Sequence, residues 1–127
     1  MNYFKPRKAW PGKYGAQRVS HAGFSFASKL EAALYDLLHM EKLAGVWTEI
    51  QCQASVRLSK AEILYKPDFA TTTAGGVTIY HEAKGYETDV WRIKRRLWIA
   101  YGPGVLRIYK GSAARIYLAE ELNGGGE

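Results

Sequence analysis

A chain of 127 residues with two helical stretches, a run of short strands between them and further strands after the second predicts an α/β fold, helices packed on a central mixed sheet. The first helix covers residues 28 to 43. There Leu30, Ala33, Leu34, Leu37 and Leu38 recur at helical spacing, and Gly45 follows as a stop. It opens Ser28-Lys29-Leu30-Glu31, the S-x-x-E form in which a serine caps the helix and the glutamate turns back to the first backbone amide. Residues 46 to 58, VWTEIQCQASVRL, alternate well enough for one strand or a hairpin pair. ILYKPDFA at 63 to 70 reads as another strand, with Pro67 pushing its end to an edge or a bend because proline has no amide to donate. A turn-rich connection, 71 to 76, leads to VTIYHEAKG at 77 to 85, and three strands joined by short connections predict a meander.

The second helix is TDVWRIKRRLWIAY, 88 to 101, with Thr88 as N-cap and Val90, Ile93, Leu97 and Ala100 on one apolar stripe. Arg92, Arg95 and Arg96 fall away from that stripe and Lys94 lies at its margin. Trp91 and Trp98 are read as packing or dimer-contact residues rather than base-stacking ones. After the GPG break at 102 to 104, VLRIYK at 105 to 110 is a strand and ARIYLA at 114 to 119 another. No repeat or linker divides the chain. The expected organisation is a basic, aromatic N-terminal arm over 1–23, a single domain over 24–121, and a flexible tail over 122–127.

Hydrophobic residues make up 47% and charged residues 24%, a globular balance in a chain long enough to bury a core, so wholesale disorder is excluded. The single cysteine, Cys52, rules out an internal disulfide and a Cys-cluster zinc site, and reads as a small buried residue in a reducing compartment. No apolar run approaches a membrane span and the N-terminus has no signal-like apolar region, which predicts a cytoplasmic protein without membrane contact. The net charge of +6 is localised: residues 1 to 30 hold six basic side chains and no acid, and the remainder holds twelve of each sign. Lys5, Arg7, Lys8, Lys13 and Arg18 alternate there with Tyr3, Phe4, Trp10 and Tyr14. Cations suit phosphates and aromatics suit bases, so the arm is a candidate nucleic-acid contact; a solvated terminus is the plainer alternative.

In HEAKG, strand alternation sends Glu82 and Lys84 to one face and His81 and Ala83 to the other. Alone, such an E-x-K is a solvated ion pair of little worth. It is not alone, because Asp68 ends the preceding strand. If the two strands pair through the 71–76 connection, Asp68 and Glu82 sit side by side at one sheet edge. Two close carboxylates need a shared proton or a cation. Mg²⁺ favours oxygen ligands and completes its shell with water or substrate phosphate, which makes a phosphodiester a natural substrate. Lys84 could then stabilise developing negative charge or position the attacking water. His81 reads as a packed histidine. H-x-E without a later P-C-x-x-C excludes a zinc deaminase.

YKPDFA followed by HEAKG resembles the motif that names the PD-(D/E)XK nuclease superfamily, with Pro67-Asp68 and then Glu82-Ala83-Lys84. The resemblance implies a restriction-endonuclease-like core: helix, three-strand meander, helix, strand. It also implies Glu31 of the first helix as a further metal-site residue, a role that competes with the capping box because one carboxylate does not fill both at once. More narrowly, FASKLE, IQCQ, YKPDF and EAKGYET followed by WRIKRRLW look like a family of small phage-encoded proteins related to Holliday-junction resolvases, over about residues 24 to 109.

That likeness implies a Mg²⁺-dependent endonuclease, with Mn²⁺ as substitute and no organic cofactor. Asp68, Glu82 and Glu31 would hold metal and Lys84 would assist the water. Branched DNA would be cut to 5′-phosphate and 3′-hydroxyl ends by a homodimer with two sites, in bacteriophage DNA recombination and in the host cytoplasm. Arg92, Lys94, Arg95 and Arg96 of the second helix, the arm and Gln53, paired with Gln51, are the expected DNA contacts; a solvated helix face and an open polar strand are the plainer readings. Two alternatives stay open: a less selective phage DNA nuclease that nicks, trims flaps or degrades host DNA, and a non-catalytic nucleic-acid-binding module.

Overall fold

The computed structural model describes residues 18–126. The chain forms β1 (Val19–His21), β2 (Phe24–Phe26), α1 (Lys29–Leu43), β3 (Glu49–Cys52), β4 (Val56–Arg57), β5 (Leu64–Tyr65), β6 (Phe69–Thr72), β7 (Thr78–Ala83), α2 (Asp89–Tyr101), β8 (Val105–Ser112) and β9 (Arg115–Asn123). Five of these strands make one mixed sheet in the order β3-β6-β7-β8-β9, antiparallel except where β8 lies parallel to β7. That parallel pair follows from α2, since a parallel neighbour needs a crossover long enough to return the chain to the same end.

Helices cover both faces. On one, Leu34 and Leu38 of α1 pack with Phe26, Trp47, Phe69 and Tyr109. On the other, Trp91 and Trp98 of α2 pack with Tyr65, Leu106, Ile108 and Leu122, and with Val56 and Leu58 from the β4–β5 hairpin. The helix caps follow the sequence closely. Ser28 Oγ accepts from the Glu31 amide at 3.0 Å and Thr88 Oγ1 from the Trp91 amide at 2.9 Å. Glu31 reaches one residue further back than a capping box requires, its Oε1 accepting from Ala27 N at 2.9 Å.

The meander is β3, β6 and β7, and the β4–β5 hairpin is inserted inside it as a separate small sheet. Residues 63–70 are therefore two strands, not one. β5 ends at Tyr65 and β6 begins at Phe69, because Pro67 cannot donate to a ladder and the chain changes sheet there.

The apolar stripe expected on α2 is not its buried face: Val90 is 64% and Ile93 57% exposed, whereas Trp91 and Trp98 are buried. Two indoles seven residues apart bury more area than the aliphatic stripe would, and they set the helix rotation. Trp91 and Trp98 are thus packing residues. Cys52 is exposed rather than buried, since β3 is an edge strand. The arm expected over 1–23 overlaps the β1–β2 hairpin. At the other end β9 runs to Asn123, and Gly124 and Gly126 donate to the Gly104 and Gly102 carbonyls at 2.8 and 3.0 Å. A Cβ on Gly124 would collide with the Gly102 carbonyl oxygen, so glycine alone allows that close approach. No helix among the described residues is long and apolar enough to cross a membrane.

Candidate active site

One step beyond the Phe69↔His81 pair, the antiparallel register of β6 and β7 sets Asp68 opposite Glu82. The two residues lace the strand ends together. Asp68 Oδ2 accepts from the Ala83 amide at 2.8 Å, and the Asp68 amide donates to Glu82 Oε1 at 3.3 Å. The Tyr65 hydroxyl donates to that same Oε1 at 2.6 Å, while Glu82 Oε2 pairs with Lys84 Nζ at 3.2 Å. Lys84 in turn lies 4.6 Å from the Trp91 ring centre, and its amide donates to the Tyr109 carbonyl at 2.8 Å. Each member of the cluster is held by something rigid: Asp68 and Glu82 by strand ends, Tyr65 by the hairpin, and Lys84 by the indole face.

The electrostatics are those of crowded acids. Burial, then the negative charges of Glu82 and Glu31, raise the Asp68 carboxyl well above its ordinary range against the pull of the Ala83 amide and Lys84. Glu82 is raised by burial, offset by Lys84, Tyr65 and the Asp68 amide. Burial and the Glu82 charge push the Tyr65 phenol far up, so it stays a protonated donor. The charges of Glu82 and Glu31 thus both act on Asp68, with Lys84 as the cation inside the cluster.

Among the described residues, no group of three or more His, Cys, Asp or Glu side chains converges as a ready-made metal cage. Mg²⁺ seldom uses one; it takes one or two carboxylates and fills its shell with water and phosphate oxygens. Two oxygen-donor side chains at neighbouring strand ends fit that habit, and Asp68 and Glu82 are the pair that could hold such an ion.

Residues 11–109 match a family model described as "Protein of unknown function (DUF1064)". The chain belongs to the DUF1064 family. No curated protein and no solved structure matches it. The DUF1064 span takes in α1, the whole acid cluster and α2, and ends at Tyr109 on β8.

The other sequence-predicted residues separate by surroundings. Glu31 is 4% exposed at the start of α1, one oxygen taken by the Ala27 amide, its charge felt at Asp68. Gln53 is tied to the cluster through its own backbone: its amide donates to the Asp68 carbonyl at 2.9 Å, and its φ of 53° is left-handed. That turn breaks the alternation that would have set Gln51 and Gln53 on one face. His81 is fully buried on the opposite face of β7 between Thr71 Oγ1 at 2.8 Å and the Tyr109 hydroxyl at 3.0 Å, and burial lowers its pKa to about 3.

Of the basic residues on α2, Lys94 donates to the Leu64 carbonyl and Arg95 bridges to Glu120, so both brace the fold. Arg92 pairs with Asp89 on the surface, and Arg96 is exposed beside it. Arg18 donates to Ser25. Lys5, Arg7, Lys8 and Lys13 lie outside the described residues, as do Tyr3, Phe4, Trp10 and Tyr14.

Tyr65 is the site residue that sequence reasoning missed. Its signal was present in YKPD, three positions before Asp68, but only the bend at Pro67 turns its hydroxyl onto a carboxylate seventeen residues away.

Proposed function

We propose that this DUF1064 chain is a metal-dependent DNA endonuclease with a restriction-endonuclease-like core, acting on branched DNA as resolvases do. The observation that carries the reading is the reciprocal lacing of Asp68 and Glu82 across the ends of β6 and β7, with Lys84 paired to Glu82. Burying two acids face to face lowers stability, and structural needs alone give no reason to keep them. A catalytic ion gives one.

Mg²⁺, or Mn²⁺ in its place, held by Asp68 and Glu82 with Glu31 assisting, would supply polarisation of the phosphoryl oxygen and acidification of a water. The protein's own groups do the rest. Tyr65 and the Asp68 amide fix Glu82 Oε1, so the carboxylate does not reorient during turnover. Lys84, braced on Trp91, orients the attacking water and stabilises negative charge as it develops on phosphate. The water oxygen forms the new P–O bond as the bond to the 3′ oxygen breaks, leaving 5′-phosphate and 3′-hydroxyl ends. Lys5, Arg7, Lys8, Lys13 and Arg18, with Arg92 and Arg96, contact the DNA backbone, which carries little sequence information and leaves shape as the recognised feature. A two-fold dimer presents two sites to the two strands of a junction.

The test is incubation of purified full-length protein with labelled four-way junction, linear duplex and single strands, in Mg²⁺ or chelator. Mg²⁺-dependent cutting of the junction alone supports the reading, and cutting of all three substrates makes this a less selective nuclease. A second reading, a binding module without catalysis, draws on the protein donors that already satisfy Asp68 and Glu82. Binding without cutting in any divalent metal would establish it.

A further inference from the structure

Beside the acid pair, a cleft of about 270 Å³ opens between the β1–β2 hairpin and the end of β3, lined by Arg18, Phe24, Ser25, Glu31, Cys52 and Gln53. Its volume lies near the lower end of the roughly 300–1,000 Å³ usual for small-ligand sites. A cleft of that size suits a single base with its phosphate at the mouth, and not a duplex.

The walls are built rather than incidental. Phe24 is 46% exposed while its ring is braced by Tyr35 at 5.4 Å and Phe26 at 6.0 Å, leaving a fixed aromatic surface open to the cleft. Arg18 donates through Nε and one Nη to the hydroxyl and carbonyl of Ser25, both at 2.9 Å. The guanidinium is thereby oriented, with its remaining donors available to a phosphate. Gln53 contributes an exposed side-chain amide, and its backbone N–H, donating to the Asp68 carbonyl, holds the residue next to the acid pair. Glu31 lines the inner wall and repels anions, so a phosphate belongs at the Arg18 end and an uncharged base deeper in.

We infer that this cleft is a nucleotide subsite, in which an unstacked base lies against Phe24 within reach of the Gln53 amide and its phosphate meets Arg18. Stacking on an aromatic with a cation on the backbone is how single strands are held without strict sequence preference. Resting on the nuclease reading, the nucleotide held is the one adjoining the bond to be cut, unstacked at a branch point, where the continuous base stack of a duplex is interrupted.

Cys52, the single cysteine, is exposed in the cleft wall and reports occupancy. The experiment follows alkylation of full-length protein by N-ethylmaleimide, by mass spectrometry in chelator, with the dinucleotide pTpT, with thymidine 5′-monophosphate or with inorganic phosphate. At ten times its dissociation constant a nucleotide occupying the cleft slows alkylation by about tenfold, by mass action. That protection is expected with pTpT, weaker with the mononucleotide, and lost in Arg18→Gln and Gln53→Ala, whose thermal melts verify an intact fold. Undiminished alkylation with pTpT, or equal protection in both variants, overturns the subsite. Equal protection by inorganic phosphate overturns its nucleotide specificity. Chelation keeps the readout apart from cleavage: protection without Mg²⁺-dependent cutting removes the nuclease reading and leaves the subsite, and cutting without protection does the reverse.

Discussion

Asp68 sits among like charges, with the carboxylates of Glu82 and Glu31 both acting on it. Its folded carboxyl titrates well above the ordinary range. As pH rises, the unfolded chain therefore releases this proton first, and the stability present at low pH is lost as pH climbs through the folded value. Asp68→Asn should abolish cutting while leaving DNA binding largely intact, and in chelator it should melt higher than the parent at pH 8 but not at pH 4. A parallel melting series checks this; a variant that cut DNA at the parental rate would remove Asp68 from the chemistry.

His81 has the opposite sign. With a folded value of about 3 against an ordinary 6.5, its contribution is fully present above pH 6.5 and lost as pH falls toward 3. His81→Gln should therefore flatten the acid limb of the stability profile, measured by denaturant unfolding between pH 3 and 7. Tyr65→Phe leaves buried Glu82 without its shortest donor, at a cost of about 1–3 kcal/mol, and it should lower cleavage more than binding. Asp68, Glu82 and Lys84 were legible because a period of two and a short connection determine which side chains share a strand end. The Tyr65 contact was not, because it depends on a change of sheet at a proline.

At the scale of elements, α2 shows what separates a legible boundary from a legible face. Thr88 caps the helix as the sequence indicates, yet the competition between an aliphatic stripe and two tryptophans is decided by buried area, which spacing alone does not weigh. Trp98→Ala should cost about 3–5 kcal/mol of stability in denaturant unfolding, as aromatic truncations in cores do. Arg95→Ala, removing an ion pair about a third exposed, should cost no more than about 1 kcal/mol. The β8–β9 connection turns at Gly111, at φ 102°, where a Cβ would collide with the Arg115 carbonyl oxygen. The inserted β4–β5 hairpin went unread because two-residue strands carry almost no periodic signal.

For the molecule as a whole, the α/β class was legible because helix-strand order nearly dictates layering, and a parallel β7–β8 pair is the natural product of a helical crossover. The charge distribution makes a separate prediction. With the basic excess concentrated in residues 1 to 30, removing residues 1–17 should weaken DNA binding and flatten its dependence on salt, read from affinity at several ionic strengths. Equal slopes would reduce the arm to a solvated end. The acid pair decides more than the arm does, since without a cation Asp68 and Glu82 are only two crowded acids at a strand end. The most direct measurement is a calorimetric titration of Mg²⁺ into the parent chain and into Asp68→Asn, each with a bound four-way junction. Saturable uptake by the parent that is lost in the variant is the predicted result, and identical heats from the two proteins would contradict it.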